Sequence, residues 1–61
     1  MASAQEMRIT QKQHLISLLK IKRANAGRTI DGLDEELENV VGVMEQEDVA
    51  YVEKLLGVKA F

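Results

Sequence analysis

Aliphatic residues recur at three- and four-residue steps in three separate stretches of this chain, and a glycine follows each stretch. In the first, Leu15, Leu18, Leu19 and Ala26 share one face, flanked by Ile16 and Ile21. Thr10 and Gln13 ahead of it form the T-x-x-Q pattern, in which a hydroxyl caps exposed amides and a glutamine reaches back, so a helix over about 10–26 is predicted. In the second, Leu33, Leu37, Val40 and Val41 make a narrow stripe with Asp34, Glu35, Glu36 and Glu38 mostly away from it. That is a one-face amphipathic helix over about 31–41, capped by Asp31 or Thr29. The third, over about 46–56, turns Val49, Val52, Leu55 and Leu56 inward, with Tyr51 at the border and Glu47, Glu53 and Lys54 outward.

Gly27, Gly42 and Gly57 fall fifteen residues apart, and the last two sit in similar surroundings, Val40-Val41-Gly42-Val43 and Leu55-Leu56-Gly57-Val58. A glycine can take the left-handed conformation that closes a helix, and an apolar residue after it can fold back on the last turn. Three such stops imply an all-α, three-helix bundle, with residues 1–8 as a flexible tail. A competing pattern runs through the glycines: Ile16, Leu19, Arg23, Ala26, Ile30, Leu33, Leu37, Val40 and Met44 keep a four-three spacing. It would make one long helix and one short helix, a hairpin that dimerises into a four-helix bundle. Two glycines inside a helix cost about 2 kcal/mol, which favours the broken arrangement.

Size limits what holds such a fold together. Sixty-one residues form one small domain with a thin core. The chain has no cysteine for disulfides and no His/Cys cluster for a structural metal. Well-packed helices or self-association remain. Met44, Val43, Val58, Phe61 and the outer aliphatics Ile16 and Ile21 exceed what three short helices easily cover, and a homodimer would cover them. The N-terminal "MASAQEMRIT" lacks an apolar stretch of signal-peptide length, and no run approaches the roughly 20 apolar residues of a membrane span. A soluble, cytoplasmic protein without a membrane partner is expected.

Catalysis is poorly supplied. His14 is the single imidazole, and the hydroxyls are Ser3, Thr10, Ser17, Thr29 and Tyr51. On its own helix His14 can reach only Thr10 and Ser17, a weak pairing for nucleophilic chemistry. Acidic pairs such as Asp34 and Glu38 lack a deep pocket that would raise a pKa. "DGLDEELE" has no calcium-loop spacing of ligands, and "GRTIDG" lacks the Lys-Ser/Thr pair of a phosphate loop. A helix-turn-helix reading would send Glu45, Glu47 and Asp48 toward phosphates, which repel them. These patterns predict no enzyme, no cofactor and no metal.

Charge is the asymmetric feature. Residues 1–30 carry Arg8, Lys12, Lys20, Lys22, Arg23 and Arg28 against Glu6, a net of +5. Residues 31–61 carry Lys54 and Lys59 against nine acids, a net of −7. Cations in the last turns of the first helix and acids in the first turns of the others suit the helix dipoles, and helices of opposite sign attract when packed. A second reading takes Lys20, Arg23 and Arg28 as an anion-contacting set on a nucleic-acid-binding regulator. The cations surround the helix instead of striping it: Lys20 lies about 60° from Arg23, and Lys22 falls within the Leu15/Leu18/Leu19 stripe. Lys22 can lay its stem over leucines and carry its ammonium to the rim of an interface. Together these features predict a non-enzymatic protein-binding or regulatory module acting as a homodimer through Ile16, Ile21, Lys22, Val43, Met44, Val58 and Phe61.

Overall fold

The computed structural model describes residues 4–61 and contains three helices, α1 (Ala4–Ala24), α2 (Leu33–Val43) and α3 (Gln46–Leu56). No strand occurs among the described residues. At 1.5 Å per residue α1 is about 31 Å long, close to twice the length of its partners, and both partners pack against it while touching each other little. α3 runs parallel to α1, since Arg8 near the start of α1 meets Asp48 at the start of α3, and Lys22 near its end meets Ala60 beyond α3. α2 returns between them. This is the expected three-helix bundle.

Its core is drawn from every element. Leu15, Leu18 and Leu19 of α1 close against Leu37 and Val40 of α2, Val52 of α3, and Met44 and Ala60 from the segments that follow. Ile16, Leu33, Val41, Val49, Leu56 and Val58 pack around that centre half-buried. Leu15, Leu19, Leu37 and Val52 are completely enclosed, and truncating any one of the three leucines to alanine removes roughly 2–5 kcal/mol.

The helix limits differ from expectation in instructive ways. α1 starts at Ala4, six positions before Thr10, so Thr10 lies mid-helix and the capping box is not used. Residues 4–8 of the expected tail are helical, and residues 1–3 lie outside the described residues. Ala4, Gln5, Glu6, Met7 and Arg8 are good helix formers, and Arg8 is held by α3. At the other end α1 stops at Ala24; the side-chain amide of Asn25 donates to the Ile21 carbonyl at 2.8 Å. Gly27 and Gly32 then take φ of +83° and +81°, which breaks the chain between α1 and α2 and rules out the continuous long helix of the hairpin alternative. α2 begins after Gly32, with neither Asp31 nor Thr29 as its cap.

Gly42 is the clear correction. It sits inside α2 and stops nothing; the helix ends when Met44 turns extended and buries its side chain. Met44 continues the stripe of Leu33, Leu37 and Val40, so the core contact lies two residues past the glycine. Gly57 does behave as a stop: φ is +68°, and the Gly57 and Val58 amides both donate to the Glu53 carbonyl, at 2.8 and 3.2 Å.

The two glycines therefore respond oppositely to one substitution. Gly42→Ala is expected to stabilise the fold by about 0.5–1 kcal/mol, because it restores helix propensity where no neighbouring atom lies within 4 Å of the added methyl. Gly57→Ala is expected to cost roughly 1–2 kcal/mol, because an L-residue is strained in the left-handed region. Urea denaturation of the two variants checks this, and a destabilised Gly42→Ala would contradict a helix running through that position.

Candidate interaction surface

The charge asymmetry resolves into contacts between α1 and α3. Asp48 is the third residue of α3 and 6% exposed. Its two carboxylate oxygens accept from Nε and Nη2 of Arg8, each at 2.9 Å, in the forked geometry that suits guanidinium and carboxylate. Nη2 also donates to Glu47 at 2.8 Å. Hydrogen bonding to Arg8, aided by the Arg8 and Lys12 charges, holds the Asp48 carboxyl below the usual carboxylate range against the opposing effect of burial. The same fork, with Asp48 first and Glu47 second, pushes the Arg8 guanidinium further up. A carboxylate in the first turn also faces the positive end of the α3 dipole.

Further along, the cations of α1 continue to find α3. The Lys12 ammonium lies 5.7 Å from the centre of the Tyr51 ring, within cation–π range. Arg23 donates from Nη1 to the Leu56 carbonyl at 3.2 Å, satisfying an end of α3 that has no intrahelical partner. Lys22 donates from Nζ to the Ala60 carbonyl at 2.8 Å, while the Ala60 amide donates to Oε2 of Glu53 at 2.8 Å. Four of the six basic residues before position 31 thus face α3 or the segment after it. Of these four, Arg8 meets opposite charge, Lys12 meets a ring, and Lys22 and Arg23 meet backbone carbonyls.

The sequence-derived interface residues do not form one surface. Met44 is 8% exposed and belongs to the core of the single chain. Ile16 and Val58 are half-buried against that core. Lys22 is half-buried and bonded within its own chain, so its position needs no second molecule to explain it. Ile21, Val43 and Phe61 are exposed. Of the anion-contacting set, Lys20, Arg23 and Arg28 are exposed, but only Arg23 and Arg28 line a common groove, together with Lys22 and Val58.

A different apolar edge emerges along the outside of the α1–α3 groove. Tyr51 and Leu55 are each 58% exposed and, with Lys54, line a shallow depression on α3. Tyr51 leads to Lys12, and Lys12 shares a second depression with Ile9, Arg8, Gln5 and Ala4 on α1. Leu55 was expected inside. The inward stripe of α3 is Val49, Val52 and Leu56, and Leu55 lies beside it. Asp48 lies seven positions before Leu55 on the same line of the helix, so this flank is covered by Arg8 at its start and open at Leu55.

His14 approaches Glu36 at 3.7 Å with both side chains exposed, and the Ser17 hydroxyl donates to the Gln13 carbonyl at 3.2 Å, away from any partnership with His14. Among the described residues no group of three or more His, Cys, Asp or Glu is placed to hold a metal, and no helix is long and apolar enough to cross a membrane.

The fork makes stability pH-dependent with a defined sign. Since the folded state depresses the Asp48 pKa, its contribution is fully present above the unfolded value, about 3.9, and is lost as pH falls through the lower folded value. Replacing Arg8 by methionine leaves a buried carboxylate without its partner. The variant is expected to be less stable than wild type at pH 7, with the gap closing as pH falls below the unfolded carboxylate value and Asp48 is protonated. Denaturation midpoints across that range check it; an unchanged gap would separate Asp48 from the effect. Comparisons with protein-family models, with characterised proteins and with solved structures found no match for this chain.

Proposed function

We propose that this protein is a non-enzymatic binding module that engages another polypeptide through the edge formed by Ile9, Lys12, Tyr51 and Leu55, and that a second copy of the chain is one such partner. The observation that carries this reading is the exposure of Tyr51 and Leu55 beside each other on α3. An aromatic and a leucine, each more than half exposed, with lysines at their border, match the make-up of an interface centre with a polar rim. Lys12 holds the Tyr51 ring from one side, so the ring presents a settled face at small entropic cost.

The nucleic-acid reading has weaker support. Lys22 and Arg23 are engaged with carbonyls at the end of α3, and Arg8 is engaged with two carboxylates. A backbone-tracking surface needs its cations in line, and Lys20 lies outside the groove that Lys22, Arg23 and Arg28 share.

The test is a double substitution on the proposed edge, Tyr51→Glu with Leu55→Glu. Both side chains are exposed, so the fold should survive, as helical circular dichroism can verify. Wild type is expected to sediment as a dimer at micromolar concentration and the double variant as a monomer. A wild-type protein that stays monomeric and folded there would sink the dimer, and retention on duplex DNA or RNA at low salt would favour the nucleic-acid reading.

A further inference from the structure

We infer a second and separate site, a groove at the α1–α2 connection that binds a small carboxylate with a hydrocarbon body. The groove has a volume of about 370 Å³ and is half-enclosed by the end of α1, the Asn25–Ile30 connection and the Gly57–Val58 turn. That places it at the small end of the roughly 300–1,000 Å³ range of ligand pockets. Ala26, Ile30, Leu33 and Val58 supply an apolar wall, while Lys22, Arg23 and Arg28 stand around it.

What singles it out is uncompensated charge. The chain carries ten acids against eight Lys and Arg, yet this groove is lined by three cations and by no acid. Structural duty accounts for one donor on Lys22 and one on Arg23, which satisfy the Ala60 and Leu56 carbonyls. It accounts for none on Arg28, which has no acidic partner among the described residues. Two further Lys22 donors, four on Arg23 and all five on Arg28 remain for an anion, by the donor inventory of these side chains. A neighbouring depression shares Ile30 and Leu33 but is lined by Asp31, Glu35 and Glu36. The anion is thereby steered to the arginine side, with its hydrocarbon body against Ile30 and Leu33.

Size and polarity select the occupant. The groove is too small for a folded partner, and three cations around a pocket do not make the extended track that a nucleic-acid strand requires. A peptide end would bring backbone amides and carbonyls against a wall whose single uncharged polar side chain, Asn25, has its amide engaged with the Ile21 carbonyl. A free acyl carboxylate brings no such groups.

Titration of the full chain with octanoate, followed by amide NMR, tests the site. Saturable shifts are expected at Ala26, Gly27, Arg28, Ile30, Gly57 and Val58, with octanol binding at least about tenfold more weakly for want of charge-assisted hydrogen bonds. Arg28→Gln, at an exposed residue outside the core, should weaken octanoate by about tenfold and leave octanol unchanged. Absence of saturable shifts, equal binding of octanoate and octanol, or an unchanged Arg28→Gln variant would each overturn the assignment. So would tighter binding of acetyl-leucyl-leucine than of octanoate, since that would make a peptide end the occupant. Shifts confined to Tyr51 and Leu55 would likewise overturn this groove while leaving the polypeptide-binding edge intact.

Discussion

The arrangement of the bundle depends on one forked contact between Arg8 and Asp48. Hydrophobic burial is non-directional, so the stripe Val49, Val52 and Leu56 does not by itself fix the height of α3 along α1. Asp48 is 6% exposed, and an unpaired buried charge is strongly unfavourable, so the start of α3 is held at the level of the Arg8 guanidinium. With Asp48 against Arg8, α3 lies parallel to α1, and Val49, Val52 and Leu56 face the core. Orientation is thus set by polar geometry and cohesion by apolar area. The proposed docking edge continues the same flank of α3 beyond the fork, where Tyr51 and Leu55 are exposed.

Beyond the fork, α1 behaves as a scaffold with two functions along its length. Its apolar stripe, Leu15, Leu18 and Leu19, serves both other helices. Its cationic flank serves α3 alone: a carboxylate near the beginning, an aromatic ring midway, and backbone carbonyls at the end. These partners differ in strength. The forked pair is charge-assisted and largely shielded on the Asp48 side, whereas the Lys12–Tyr51 contact is exposed, where such contacts contribute about 0.5–1 kcal/mol. An approaching partner would desolvate the ring and strengthen that contact, so binding at the edge and ordering of Tyr51 reinforce each other.

How much of this could be read beforehand varies by residue. The stripes Leu15/Leu18/Leu19 and Leu33/Leu37/Val40 were legible because periodicity reports burial directly, and α3 kept its expected limits. Gly42 and Gly57 were not separable by local context, since both follow two aliphatics and precede valine. Glycine permits the left-handed turn without requiring it, and the outcome depends on whether a core contact lies beyond. Met44 supplies one past Gly42, so the helix continues. Past Gly57 the chain must reverse for Ala60 to reach the core. The Arg8–Asp48 pair spans forty residues, and no local pattern announces a contact of that separation. The three-cation groove was half-legible: Arg23 and Arg28 belong to the sequence-derived anion-contacting set, but its third member, Lys20, lies outside the groove, and Val58 reaches the arginines only through the tertiary fold.

Lys22 shows how an apparent irregularity in a stripe can be structural. A lysine among leucines suggests an outside partner because its ammonium must leave the core. Here the requirement comes from the opposite direction. Ala60 is 1% exposed, and a buried peptide group needs both a donor and an acceptor. No helix or sheet ladder reaches that segment, so side chains supply them: Glu53 accepts from the Ala60 amide and Lys22 donates to its carbonyl. The two side chains carry opposite charges and grip one residue from both sides, which lets an irregular segment close the bottom of a thin core. An aliphatic residue at position 22 would add apolar area to α1 and leave the Ala60 carbonyl without its charged donor. The lysine thus shares with Glu53 the pairing of the Ala60 peptide group that accompanies its burial.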